Sequence, residues 1–115
     1  MTVKECYELM DGKYENVLER LSSEKLIEKF LKKFVDDKSY SDITRYLEAG
    51  EKENAFCAAH TLKGVCLNLG LDKLYESAVE VTEALRGGKN ETTPEMLEKL
   101  KSDYELTINA IKGLE

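Results

Sequence analysis

Leu26, Ile27, Phe30, Leu31, Phe34 and Val35 come in pairs four residues apart, with Lys and Glu filling the gaps. A helix gathers such pairs on one side, whereas a strand scatters them over both faces. This segment is therefore an amphipathic helix with one buried face. Ser22 or Ser23 can cap its start, and it runs to about Asp37.

Helical spacing recurs along the rest of the chain. Residues 2–21 read as one or two short helices broken at Gly12, with Tyr14, Val17, Leu18 and Leu21 as an apolar stripe. Ser39 or Ser41 can cap a third element bearing Ile43, Tyr46 and Leu47, and Gly50 suits its end. A longer helix runs from about Glu51 to Leu69 and is stopped by Gly70. Leu74, Ala78, Val81 and Leu85 mark another from Leu71 to Leu85, followed by a Gly87-Gly88-Lys89-Asn90 loop. The last helix opens with Thr93 as cap and Pro94 at the first helical position, or with Thr92 and Glu95 as a capping box. Leu97, Leu100, Tyr104, Ile108 and Ile111 form its stripe.

Short loops between helices make sequential neighbours antiparallel. The expected fold is all-α: an up-down four-helix bundle with an additional short N-terminal helical segment. At 115 residues the chain is expected to be one domain, residues 1–115, able to bury a core without disulfides or metal. A net charge of −6 argues against nucleic acid and acidic membrane surfaces as partners. Cys6, Cys57 and Cys66 are odd in number and form no C-x-x-C pair, so reduced thiols and a cytoplasmic setting are expected. The first residues carry no apolar run of the kind a signal peptide needs, and no stretch has the ~20 apolar residues that span a bilayer.

The chemistry concentrates at the only histidine, in Ala58-Ala59-His60-Thr61-Leu62-Lys63-Gly64-Val65-Cys66-Leu67-Asn68-Leu69-Gly70. At about 100° per residue, Ala55, Ala59, Leu62, Cys66 and Leu69 fall on one side. His60, Lys63, Gly64 and Leu67 fall on the other, with Phe56 and Cys57 one turn earlier. His60 thus points outward from mid-helix. Gly64 sits where glycine costs about 1 kcal/mol relative to alanine, and its missing side chain leaves room for a second body beside the imidazole. Lys63 can stabilise an anion there by a charge-assisted hydrogen bond. Phe56 and Leu67 supply an apolar surround of the kind that marks a docking site. Neutral imidazole is a nucleophile near neutral pH, and phosphoryl transfer rests mostly on positioning and electrostatics.

At these residues the chain resembles the histidine-containing phosphotransfer (HPt) domains of two-component phosphorelays, whose signature centres on His-x-Leu-Lys-Gly. Here it reads His60-Thr61-Leu62-Lys63-Gly64, with Leu69-Gly70 in place, preceded by Leu47-Glu48-Ala49-Gly50 and followed by Leu71-Asp72-Lys73-Leu74. The likeness is sharp over about residues 43–85. It implies His60 as phosphoacceptor, through the more exposed Nε2, Lys63 as phosphoryl stabiliser and Gly64 as clearance for a partner. Phe56, Cys57 and Leu67 would be docking residues. The implied partners are response-regulator receiver domains, with a hybrid histidine kinase as a further candidate. The protein would need no cofactor of its own, the Mg²⁺ belonging to the receiver. Val65 and Cys66 stand where many members carry Ser or Ala, but the helical count turns them inward or sideways.

Plainer readings compete. Gly64 would also suit close helix packing, although its placement opposite Leu62 argues against that. Phe56 is as well suited to a partly buried core position. Cys57 and His60 could pair on a metal, but a structural zinc site takes four ligands and no second cluster exists in the sequence. As a whole, the chain reads as a monomeric, stand-alone phosphocarrier rather than an enzyme, since no glycine-rich ATP loop accompanies the bundle. The alternative is a docking module of the same fold that transfers nothing.

Overall fold

A computed structural model of the chain describes residues 1–114. Among them are seven α-helices and no strand: α1 Val3–Leu9, α2 Tyr14–Leu21, α3 Glu24–Phe34, α4 Ser39–Glu48, α5 Lys52–Leu69, α6 Asp72–Ala84 and α7 Pro94–Lys112. The caps explain most of the boundaries. Thr2 and Glu5 form a capping box at α1. The Ser23 hydroxyl accepts from the Leu26 N–H at 3.3 Å at α3. Thr93 accepts from the Met96 N–H at 3.2 Å with Pro94 behind it, which selects that start for α7 over the Thr92 capping box. Each such cap is worth about 1 kcal/mol.

One start differs from the sequence reading. Neither Ser39 nor Ser41 caps α4. The Asp37 carboxylate accepts the Ser39 N–H at 2.8 Å instead, leaving Lys38 at the cap position and Ser39 buried inside the first turn. An aspartate that bonds the backbone two residues on competes with the helix, and here it breaks α3 from α4.

That break shapes the bundle. α4, α5, α6 and α7 pack as successive neighbours, while α3 lies against α2 and touches α5 and α7. Tyr104 of α7 stacks on Tyr40 at the start of α4, with centroids 4.1 Å apart, and meets Phe34 at the end of α3 edge-on at 6.1 Å. So α3 and α4 lie end to end and form the first column of a four-helix bundle, broken in the middle. The N-terminal segment comprises both α1 and α2.

One continuous core runs from Val3 to Leu114 and includes Ile27, Leu31, Ile43, Leu62, Leu74, Leu100 and Ile111. Burying a side chain of that size stabilises the fold by about 1.5–3 kcal/mol. α6 and α7 are also tied by polar groups. The Asp103 carboxylate, only 5% exposed, accepts from the Ser77 hydroxyl and from Lys99 Nζ at 3.3 Å, with Lys73 Nζ at 4.0 Å.

The far end of α5 is held by α1 and α2. The Tyr7 hydroxyl donates to the Leu69 carbonyl at 2.6 Å, and Arg20 Nη2 donates to the carbonyls of Leu67 and Asn68 at 3.0 and 2.7 Å. These are among the last-turn carbonyls that a helix cannot satisfy itself. Gly70 closes the turn at φ +65°, and a Cβ there would collide with Val17 Cγ2. No described helix is long and apolar enough to cross a membrane.

Candidate functional site

α5 carries the site, and its buried face explains how the site is aimed. Ala55, Ala58, Ala59, Leu62, Cys66 and Leu69 are buried, three of them alanines in the first half of the helix. Small side chains let α4 and α6 close on either side of α5. The opposite face is left at the surface, and His60 stands exposed in its middle. The helical count is thus met on both sides. Cys66 is fully buried, and Val65 is half-buried at the flank.

The residues singled out from the sequence do come together. Cys57 and Leu67 are exposed, the latter at 55%, and Lys63, Gly64 and Phe56 are half-buried. Phe56 packs against the core and also meets His60, ring centroids 6.1 Å apart. The core half of the even choice for Phe56 is thereby met, and its ring also reaches the His60 face. A Cβ built on Gly64 meets nothing within 4 Å. No neighbouring helix therefore requires a glycine there, and the close-packing reading of Gly64 fails on geometry. Thr61 turns its hydroxyl back to the Cys57 carbonyl at 3.0 Å and does not compete for the imidazole. Among the described residues no three His, Cys, Asp or Glu side chains gather as a metal cluster.

Two neighbours were not read from the sequence. Arg86, just beyond α6, holds its guanidinium 5.3 Å above the Phe56 ring and is bound in a fork by Glu83. Arg86, and at longer range Lys63, hold the Glu83 carboxyl below the usual carboxylate range. The Glu83–Arg86 spacing of three is visible in the sequence as a helical ion pair. Which face it joins is decided only by how α6 packs on α5.

Beside this face, between α2, α3 and α5, runs an apolar groove of about 450 Å³ lined by Phe30, Phe34, Val65 and Leu69, with Arg20 and Lys33 at its rim. It lies along the flank of α5 that bears Val65 and Leu69, and His60 is not part of its lining.

An antiparallel helical bundle with one exposed histidine in mid-helix and a lysine and an open glycine on the same face is the arrangement of a carrier-type site. It places an imidazole and an ammonium on one face, with open space at Gly64. The Hpt domain family model matches residues 22–110, and the chain belongs to that family. No curated protein and no solved structure gives a significant match. Hpt domains serve in histidine phosphotransfer within phosphorelays, as phosphocarriers without kinase activity of their own that work with receiver domains and kinases.

Proposed function

We propose that His60 is the phosphoacceptor, taking a phosphoryl group from a receiver-domain aspartyl phosphate and passing it to a second receiver. The lone pair of an imidazole nitrogen attacks phosphorus, the N–P bond forms as the acyl P–O bond breaks, and the aspartate carboxylate leaves with the bonding pair. The ring proton on the other nitrogen can stay or pass to water, so no further reactant is needed. Mg²⁺ would be supplied by the receiver, where it shields the transferring oxygens. Lys63 lies on the same face and would take up charge on the new phosphoramidate. Phe56, Cys57 and Leu67 would form the footprint around it.

The observation that carries this reading is the exposed His60 beside an open Gly64 whose Cβ position is empty for 4 Å. A phosphorylated receiver mixed with the protein and Mg²⁺ tests it. Acid-labile label is expected on wild type and none on His60→Gln, with both melting alike. Label that persists on His60→Gln would refute the site. Binding without label on wild type would favour the docking module instead.

A further inference from the structure

We propose that Glu83 is a built-in stand-in for the phosphoryl group: its carboxylate holds the guanidinium of Arg86, a cation that a phosphate on His60 would recruit. Glu83 thereby sets how much phosphoryl group the protein holds at equilibrium. The inference rests on His60 being the acceptor and adds what governs its loading.

The geometry is as follows. Arg86 donates from Nε to Glu83 Oε1 at 3.0 Å and from Nη2 to Glu83 Oε2 at 2.7 Å. Its guanidinium lies over Phe56, whose ring lies beside the His60 ring. Phe56 sits one turn before His60 and Lys63 about one turn after it. α6 is joined to α5 by the single turn at Gly70 and Leu71 and runs antiparallel to it. The ion pair therefore reaches the His60 neighbourhood through Arg86, which lies over the ring that flanks the imidazole. Arg86 and Glu83 are each about half exposed, at 52% and 53% of the side chain. An ion pair so placed is weakly held and can exchange partners.

Phosphorylation changes the balance. A phosphoryl group brings close to two negative charges and three strong acceptors, and a guanidinium fork fits phosphate as well as carboxylate. Arg86 would turn from Glu83 to the phosphate, guided by the Phe56 ring. Glu83 would then face a dianion without its partner. It opposes the loaded state, whereas Arg86 favours it.

Two substitutions break the same ion pair from opposite ends and separate this role from a structural one. The protein, Glu83→Gln and Arg86→Gln are each equilibrated with phosphoramidate and ammonia. In that reaction the donor N–P bond breaks, ammonia leaves, and the phosphoryl group joins imidazole. Phosphohistidine is read by ³¹P NMR, and the same three proteins are equilibrated with a phosphorylated, Mg²⁺-loaded receiver. Glu83→Gln is expected to hold about threefold more phosphohistidine and Arg86→Gln about threefold less, as one screened unit charge at this range predicts. A purely structural pair would move both variants the same way, and that result or no change overturns the proposal. Labelling by phosphoramidate but by no receiver would sink the relay reading while the opposed shifts still decide this one. A wild type that takes label from neither donor overturns both.

Discussion

Substitution at Gly64 should separate stability from transfer. The residue lies inside α5 in ordinary helical conformation, and an added Cβ meets nothing within 4 Å. Alanine there removes glycine's backbone entropy without a clash, so Gly64→Ala should gain about 0.5–1 kcal/mol. For a domain of this size that raises Tm by about 4 °C. Leucine has nearly the same helix propensity, so Gly64→Leu should melt within a degree or two of Gly64→Ala. Transfer should behave in the opposite way. Side chains four residues apart stand about 5–6 Å from each other, so a leucine at 64 rises beside the imidazole. A receiver kept even about 1 Å from its reacting position loses on the order of 10²-fold in rate. Thermal melts by circular dichroism, and label transfer from a phosphorylated receiver, measure the two effects. Phosphoramidate is the control, because so small a donor should still load His60 in Gly64→Leu. A lower Tm for Gly64→Ala would mean that the glycine serves packing. Unimpaired receiver transfer by Gly64→Leu would mean that clearance is not its role.

Two further outcomes follow from groups remote from the site. Asp103→Ala leaves the buried Ser77 hydroxyl without its carboxylate acceptor and two half-exposed lysines without their partner, and should lose about 1–2 kcal/mol in urea unfolding; a loss below about 0.5 kcal/mol would mean that the α6–α7 tie is held by its apolar contacts alone. Burial pushes the Cys6 thiol up to about 11 and raises Cys66 and Tyr7 further. The unfolded thiols ionise first, near the ordinary value of 9.0, so the folded state binds more protons and its stability falls as pH rises from about 9 through 11. Tm measured across that window should drop, and less steeply in Cys66→Ala; a flat profile would contradict the burial of these groups.

What the sequence disclosed was the part governed by local physics. Thr92 to Pro94 bracketed the start of α7, Gly70 marked the end of α5, and counting around α5 put His60 outside and Cys66 inside. All of these depend on residues within a turn or two of each other. The α3–α4 break was read at the right place but given the wrong cap, because Ser39 and Ser41 look like caps, whereas the aspartate just upstream competes more strongly for the backbone. The remaining omissions are long-range. The Tyr7 hydroxyl meets a carbonyl 62 residues away, and Arg20 meets carbonyls 47 and 48 away. Arg86 lies over Phe56 only because α5 and α6 happen to align there. No periodicity reports which helix faces touch, and the charge pattern of α6 fits a solvated surface equally well.

The closure of α5 by α1 and α2 bears on how such a domain can be exchanged between proteins. The family likeness begins at residue 22, whereas Tyr7, Gly12, Val17 and Arg20 all precede it. A graft cut at that boundary would carry the histidine, the lysine and the glycine intact. It would also take the Arg20 and Tyr7 donors from the carbonyls at the end of α5, leaving Leu67 only the Gly70 N–H, and open the core around Gly70. The portable unit in this chain is therefore larger than its recognisable signature. Its first twenty-one residues behave as a clasp lying outside the family match, and a chimera that omits them must bring another.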